Sequence, residues 1–165
     1  MAFHRTPRPR ATRYAYRIRG RERGGLVLWE LGVGDGPDAV VSVPGPAPRR
    51  VPVFTTARRA RASERRQGHG RPVPQSALLD LERVQYWLEA PERRRVPAGP
   101  VLDAWNFFED LGRGVGTVAL LPVQGEVHNS AYEKLFGGEC EAWTGEEASA
   151  VRELMAVGVA LWNAC

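Results

Sequence analysis

The chain has 165 residues, 43% of them hydrophobic and 25% charged, with a formal net charge of +4. A chain of this length makes about one ordinary domain with a real core, and this composition excludes disorder over most of its length. No run of about 18 apolar residues occurs, so no membrane-spanning helix is expected.

The opening residues, MAFHRTPRPR, are basic and have no apolar stretch behind them of the kind a secretory leader needs. The expected compartment is the cytoplasm, and residues 1–11 read as a flexible basic arm. From Arg13 to Arg19 the pattern Arg-Tyr-Ala-Tyr-Arg-Ile-Arg alternates. Tyr14, Tyr16 and Ile18 share one face of a half-buried strand, and arginines dominate the other. Glycines at 20, 24 and 25 turn the chain into a second, more buried strand over Leu26–Leu31. After Gly32-Val-Gly34-Asp-Gly36-Pro37, a third strand is expected over Ala39–Val43, which completes an antiparallel meander.

Residues 44–52 hold four prolines and read as a surface loop. Val53-Phe54 can add a short edge strand. Thr55 or Thr56 then caps a helix over Ala57–Gln67, which Gly68 ends. The apolar content of this helix is alanine alone, so a weakly held, largely solvated helix is expected.

A loop is predicted over 68–74, with a possible sub-division of the chain near 68–75. Four helices are predicted beyond it. Gln75–Glu89 aligns Ala77, Leu81, Val84 and Leu88. Pro100–Gly112 aligns Val101, Trp105, Phe108 and Leu111. Ser130–Phe136 is short and ends at Gly137-Gly138. The last begins at Thr144, where Thr-x-x-Glu (Thr144, Glu147) matches a capping box. Residues 117–123 fit either a strand or an apolar loop. The order, strands first and helices second, predicts a single α+β domain over 12–165. In it a small N-terminal antiparallel sheet of three to four strands packs against a C-terminal bundle of about four helices.

Charge is divided along the chain. Residues 1–97 hold 20 Arg and no Lys against 9 acidic residues, a net +11, whereas residues 98–165 are net −7. Such a division can mark an interaction surface on either half. The near absence of lysine, 1 against 22 arginines, is also what a GC-rich bacterial genome produces, so arginine richness alone says little.

Most motifs of chemistry are missing. The clusters Gly32-x-Gly34-x-Gly36 and Gly112-x-Gly114-x-Gly116 lack phosphate-loop spacing, and turn and cap roles are expected of them. Cys140 and Cys165 lack metal or redox spacing. No nucleophile elbow or Cys–His pairing is evident among the three histidines, His4, His69 and His128. No cofactor is therefore expected.

Two constellations remain. Asp103, Asn106 and Asp110 follow i, i+3, i+7 and share one helix face. Oxygen donors so arranged can meet a basic partner, joined by Glu126, Glu139 and Glu141. Alternatively they can hold a divalent ion in a small enzyme centred on Asp103, Asp110 and His128. The second constellation is basic. Arg58, Arg61 and Arg65 align on one helix stripe, and Arg13 and Arg17 stand on a strand face. Together they can contact nucleic-acid phosphates, although no helix-turn-helix, zinc-finger or RNP signature accompanies them. The leading expectation is a non-catalytic protein-binding domain of bacterial type. By analogy of size and class, with no motif behind it, such a domain would mask a partner as toxin-immunity proteins do, through its acidic C-terminal surface.

Overall fold

The computed structural model describes residues 11–165. All of the expected basic arm except Ala11 therefore lies outside the described residues. The chain folds as α+β, with a four-stranded sheet first and a cluster of helices after it.

The first two strands form because β1 alternates, β2 is a short apolar run buried on both faces at Leu26–Leu28, and glycines sit between them. β1 (Arg13–Arg19) and β2 (Gly25–Glu30) pair antiparallel, Tyr14 opposite Trp29 and Tyr16 opposite Val27. β3 is only Ala39–Val40 and pairs antiparallel with the end of β2. Phe54 adds a single antiparallel bridge to Leu26, so the expected edge strand at Val53-Phe54 is reduced to one rung.

The fourth strand corrects the sequence reading. Residues expected to form a loop and the start of a helix instead make β4 (Val73–Asp80), which pairs with β1. The pairing is parallel, so the sheet is mixed, in the order β3-β2-β1-β4. The helix-like spacing of Ala77 with Leu81 gave way to tertiary pairing as far as Asp80, and only Leu81 onward kept the helix; such pairing commonly overrides local propensity. Pro74 is tolerated because β4 is an edge strand. Asp80 ends the strand and caps the next helix by accepting from the Arg83 N–H.

Among the described residues five helices clothe this sheet: α1 (Ala57–Arg66), α2 (Leu81–Glu89), α3 (Ala98–Val115), α4 (Glu126–Phe136) and α5 (Gly145–Ala164). Residues 118–120, whose sequence fits either a strand or a loop, form a single 3-10 turn. Helices α2 to α5 share one core with the sheet face that bears Ile18 and Val27, built around Trp105, Phe108, Leu154 and Trp162. Helix α1 lies against the other face, where Ala60 packs with Ala15, Leu26 and Leu28.

Helix α1 is held more firmly than its composition suggests. Ala60 is fully buried and Glu64 is 2% exposed. Arg13 reaches across from β1 to both Glu64 oxygens, at 2.9 and 3.1 Å, and donates from Nε to Glu30 at 3.0 Å.

Helix α3 is longer than its predicted span and contains Gly112 and Gly114 within it; only Gly116, at φ +77°, is a left-handed cap. Gly114 has no room for a side chain, because the Val40 carbonyl lies where a Cβ would stand. This glycine brings α3 directly onto β3, and the Ser42 hydroxyl secures the approach by donating to the Gly114 carbonyl at 2.7 Å.

The Thr144 capping box forms as the sequence predicts. Its Glu147 carboxylate is buried and also receives Ser130 and Lys134. Lys134 first, then Ser130 and the Thr144 N–H, hold the Glu147 pKa down to about 2 from 4.5. A depressed carboxyl stabilises the fold above its unfolded pKa, and that contribution is lost as pH falls from 4.5 toward 2. Glu147→Gln is therefore expected to lower the melting temperature at pH 7. The difference from the parent should shrink as melts are repeated toward pH 2.

Candidate functional site

The alternation in β1 and the register with β2 put Tyr14, Tyr16 and Trp29 on the sheet face that α3 covers. The i, i+3, i+7 spacing in α3 points Asp103, Asn106 and Asp110 at the same space. Between them lies a groove of about 340 Å³, lined also by the buried Phe107 and Leu79 and by Asp38. Tyr16 meets Trp29 edge-on at 5.0 Å, and Trp29 meets Phe107 at 5.2 Å.

The wall is fixed by a small polar network. Trp29 Nε1–H donates to Asp110 Oδ2 at 3.0 Å. Arg113 pairs with the other Asp110 oxygen and donates from Nε to the Asp38 carbonyl at 2.9 Å. The Asp38 carboxylate accepts the Gly32 N–H at 2.9 Å, which closes the loop between β2 and β3. Asp110 is thus a fixed part of the wall. Asp103 is different: its side chain reaches solvent although the groove walls partly desolvate it, and it takes part in no ion pair or side-chain hydrogen bond among the described residues.

Electrostatics in the groove oppose the bare carboxylates. Burial pushes the Asp103 carboxyl above the usual aspartate range. Burial also raises Asp110, against the lowering effect of the Trp29 N–H and Arg113. The Tyr16 hydroxyl is raised by burial and then by the Asp103 charge. Asp110 already has Arg113 beside it; Asp103, in a partly desolvated, aromatic-walled groove, favours a positive charge of its own.

The remaining predicted site residues lie elsewhere. Glu126 is exposed in the first turn of α4. Glu139 is exposed in the segment after α4, and Glu141 stands 3.7 Å from Arg95. None of the three lines the groove. His128 does not join Asp103 and Asp110. Its Nδ1 accepts the Gly125 N–H at 3.3 Å, and its ring lies edge-on to Trp105 at 6.4 Å. Among the described residues no three His, Cys, Asp or Glu side chains are grouped to hold a metal ion.

The basic residues also divide. Arg13 is consumed by Glu64 and Glu30, whereas Arg17 stays exposed. Arg58, Arg61 and Arg65 are brought together on the outer side of α1.

Sequence spacing found the acidic side of the groove but missed its aromatic side. The signal was present in Tyr14 and Tyr16, two residues apart on one strand face. Their meeting with α3 depends on which sheet face each helix covers, and that is not encoded in local spacing. No family model, curated protein or solved structure matches this chain. Among the described residues, no helix is long and apolar enough to cross a membrane.

Proposed function

We propose that this protein is a non-catalytic protein-binding domain that receives an exposed Arg or Lys side chain of a basic partner in the groove between β1, β2 and α3. One observation carries the reading. Tyr14, Tyr16 and Trp29 line the same groove as Asp103, a carboxylate with no ion-pair partner among the described residues, while Asp110 is held in the wall by Trp29 and Arg113. Aromatic faces and edge-buried carboxylates together recognise an organic cation better than either does alone, because the ring quadrupole and the charge act in a partly dry site. A groove of about 340 Å³ is at the small end of ligand sites, which suits a single side chain rather than a large cofactor. Masking of a partner in the manner of a bacterial immunity protein is the biological form of this reading, with the groove and not a wider acidic surface as the contact. Electrostatic steering would then make association weaken as salt rises.

The experiment is calorimetric titration with short Gly-Ser peptides carrying one central Arg, Lys or, as control, Gln. The Arg and Lys peptides are expected to bind saturably in the millimolar range, as one side chain does outside its full interface. Asp103→Asn is expected to weaken that binding at least about tenfold. Equal binding of the Gln peptide would contradict the reading.

The same substitution has a stability signature. An aspartate raised above 3.8 favours folding most when protonated. That contribution is full below 3.8 and is lost as pH rises through the raised value. Asp103→Asn is therefore expected to melt like the parent at pH 3 and slightly higher at pH 7. A carboxylate kept at a cost to stability is a common mark of a functional surface.

A further inference from the structure

On the opposite face of the sheet from the acidic groove, α1 and the loop leading to β4 enclose a second groove of about 730 Å³. Its walls carry Arg58, Arg61 and Arg65 from the helix, and His69 and Arg71 from the loop. The four arginines are exposed, and none forms an ion pair among the described residues. The acidic residue of α1, Glu64, is turned inward to Arg13 and offers them nothing.

This arrangement is unfavourable to the isolated helix. The first turn of α1 has no acidic residue and carries Arg58 and Arg59, where the helix dipole disfavours positive charge. Arg58, Arg61 and Arg65 also lie at i, i+3, i+7, so they repel along one stripe. A codon bias toward arginine would account for arginine in place of lysine, but not for four cations converging on one groove with no ion-pair partner among the described residues.

We propose that this groove binds the phosphate backbone of double-stranded nucleic acid. The chemistry points there for three reasons. Guanidinium groups match phosphate oxygens with paired hydrogen bonds. The stripe from Arg58 to Arg65 runs about 10 Å along the helix axis, a stretch over which a duplex presents several phosphates. The groove offers arginine stems, Ala62 and Gly70 in place of an apolar core, which is poor for a protein interface and adequate for a phosphate backbone. Apart from His69 it carries no ring on which bases could stack, so a single strand is not favoured. Recognition is of backbone charge, without sequence preference.

The test is fluorescence anisotropy of a labelled 20-base-pair duplex titrated with the full chain at 50 and 200 mM salt. Micromolar binding is expected at the lower salt, with a log–log salt slope near −4 for about four phosphate contacts. Arg58→Gln/Arg61→Gln/Arg65→Gln, checked for folding by circular dichroism, is expected to weaken binding at least about tenfold and bring the slope near −1. The matching triple lysine variant should keep most of the slope. Asp103→Asn should bind the duplex like the parent, so failure here is separable from failure of the acidic groove. The proposal is overturned if the duplex does not bind at 50 mM salt, if the triple glutamine variant binds like the parent, or if polyglutamate binds more tightly than the duplex. That last result would assign the groove to an acidic protein instead.

Discussion

Alanine at Gly114 is expected to destabilise the protein by about 3 kcal/mol, the upper end of what overpacking costs. In an open helix interior the same exchange stabilises by up to about 1 kcal/mol, so the sign itself is diagnostic. The reason is geometric. A Cβ on Gly114 would overlap the Val40 carbonyl oxygen and stand 2.9 Å from its carbon. Backbone atoms cannot swing aside as a long side chain can, so α3 must lift from β3. Lifting also breaks the Ser42 bond to the Gly114 carbonyl. Gly99→Ala is the control, since nothing lies within 4 Å of the place its methyl would take; it should be neutral or slightly stabilising. Urea melts with unchanged slopes would separate the two. The consequence for the groove follows, because Asp110 and Arg113 sit about one turn or less before Gly114 and hold Trp29 and Asp38.

The second large effect is expected at Glu64. Replacing it with alanine should cost about 2–4 kcal/mol, near the low end of breaking a buried ion pair. Glu64 is 2% exposed and accepts two bonds from Arg13, whose own side chain is only 13% exposed. Without it, the guanidinium keeps one partner, the half-exposed Glu30. Glu64→Gln should cost less, because the amide oxygen still accepts a bond from Arg13. A joint Arg13→Met/Glu64→Leu exchange should recover much of the loss, since apolar pairs of similar volume often replace buried ion pairs. If Glu64→Ala melts like the parent, α1 is not anchored by this pair.

These two positions also mark what the sequence could not disclose. The alternating tyrosines of β1, the threonine caps at Thr56 and Thr144 and the apolar stripe of α3 were legible, because each is a local pattern with a local cause. The strand β4 was not, because its residues are mostly exposed and its pairing with β1 joins segments about sixty residues apart. The Asp80 side chain, followed by Leu81-Glu82, carried the true helix start. Gly114 read as a turn glycine because its reason lies in β3, far away in sequence.

The candidate site follows the same rule. Asp103, Asn106 and Asp110 could be aligned from helical period alone. Glu126, Glu139 and Glu141 shared only a charge sign with them, and the fold sets them apart from the groove. Arg13 read as a free strand-face cation. Its partner Glu64 lies 51 residues away, and only the packing of α1 on the sheet brings them together.

A cation received between the aromatic and acidic walls of the groove is reported directly by the Trp29 indole N–H, because it donates to Asp110. Its resonance can be assigned by comparison with Trp29→Phe and followed while the Arg-bearing peptide is added. A saturable shift of that one indole signal, absent with the Gln peptide and strongly weakened in Asp103→Asn, is the predicted result. An indole signal that stays fixed up to several times the millimolar range expected for a single side chain, or that moves equally with the Gln peptide, would contradict it.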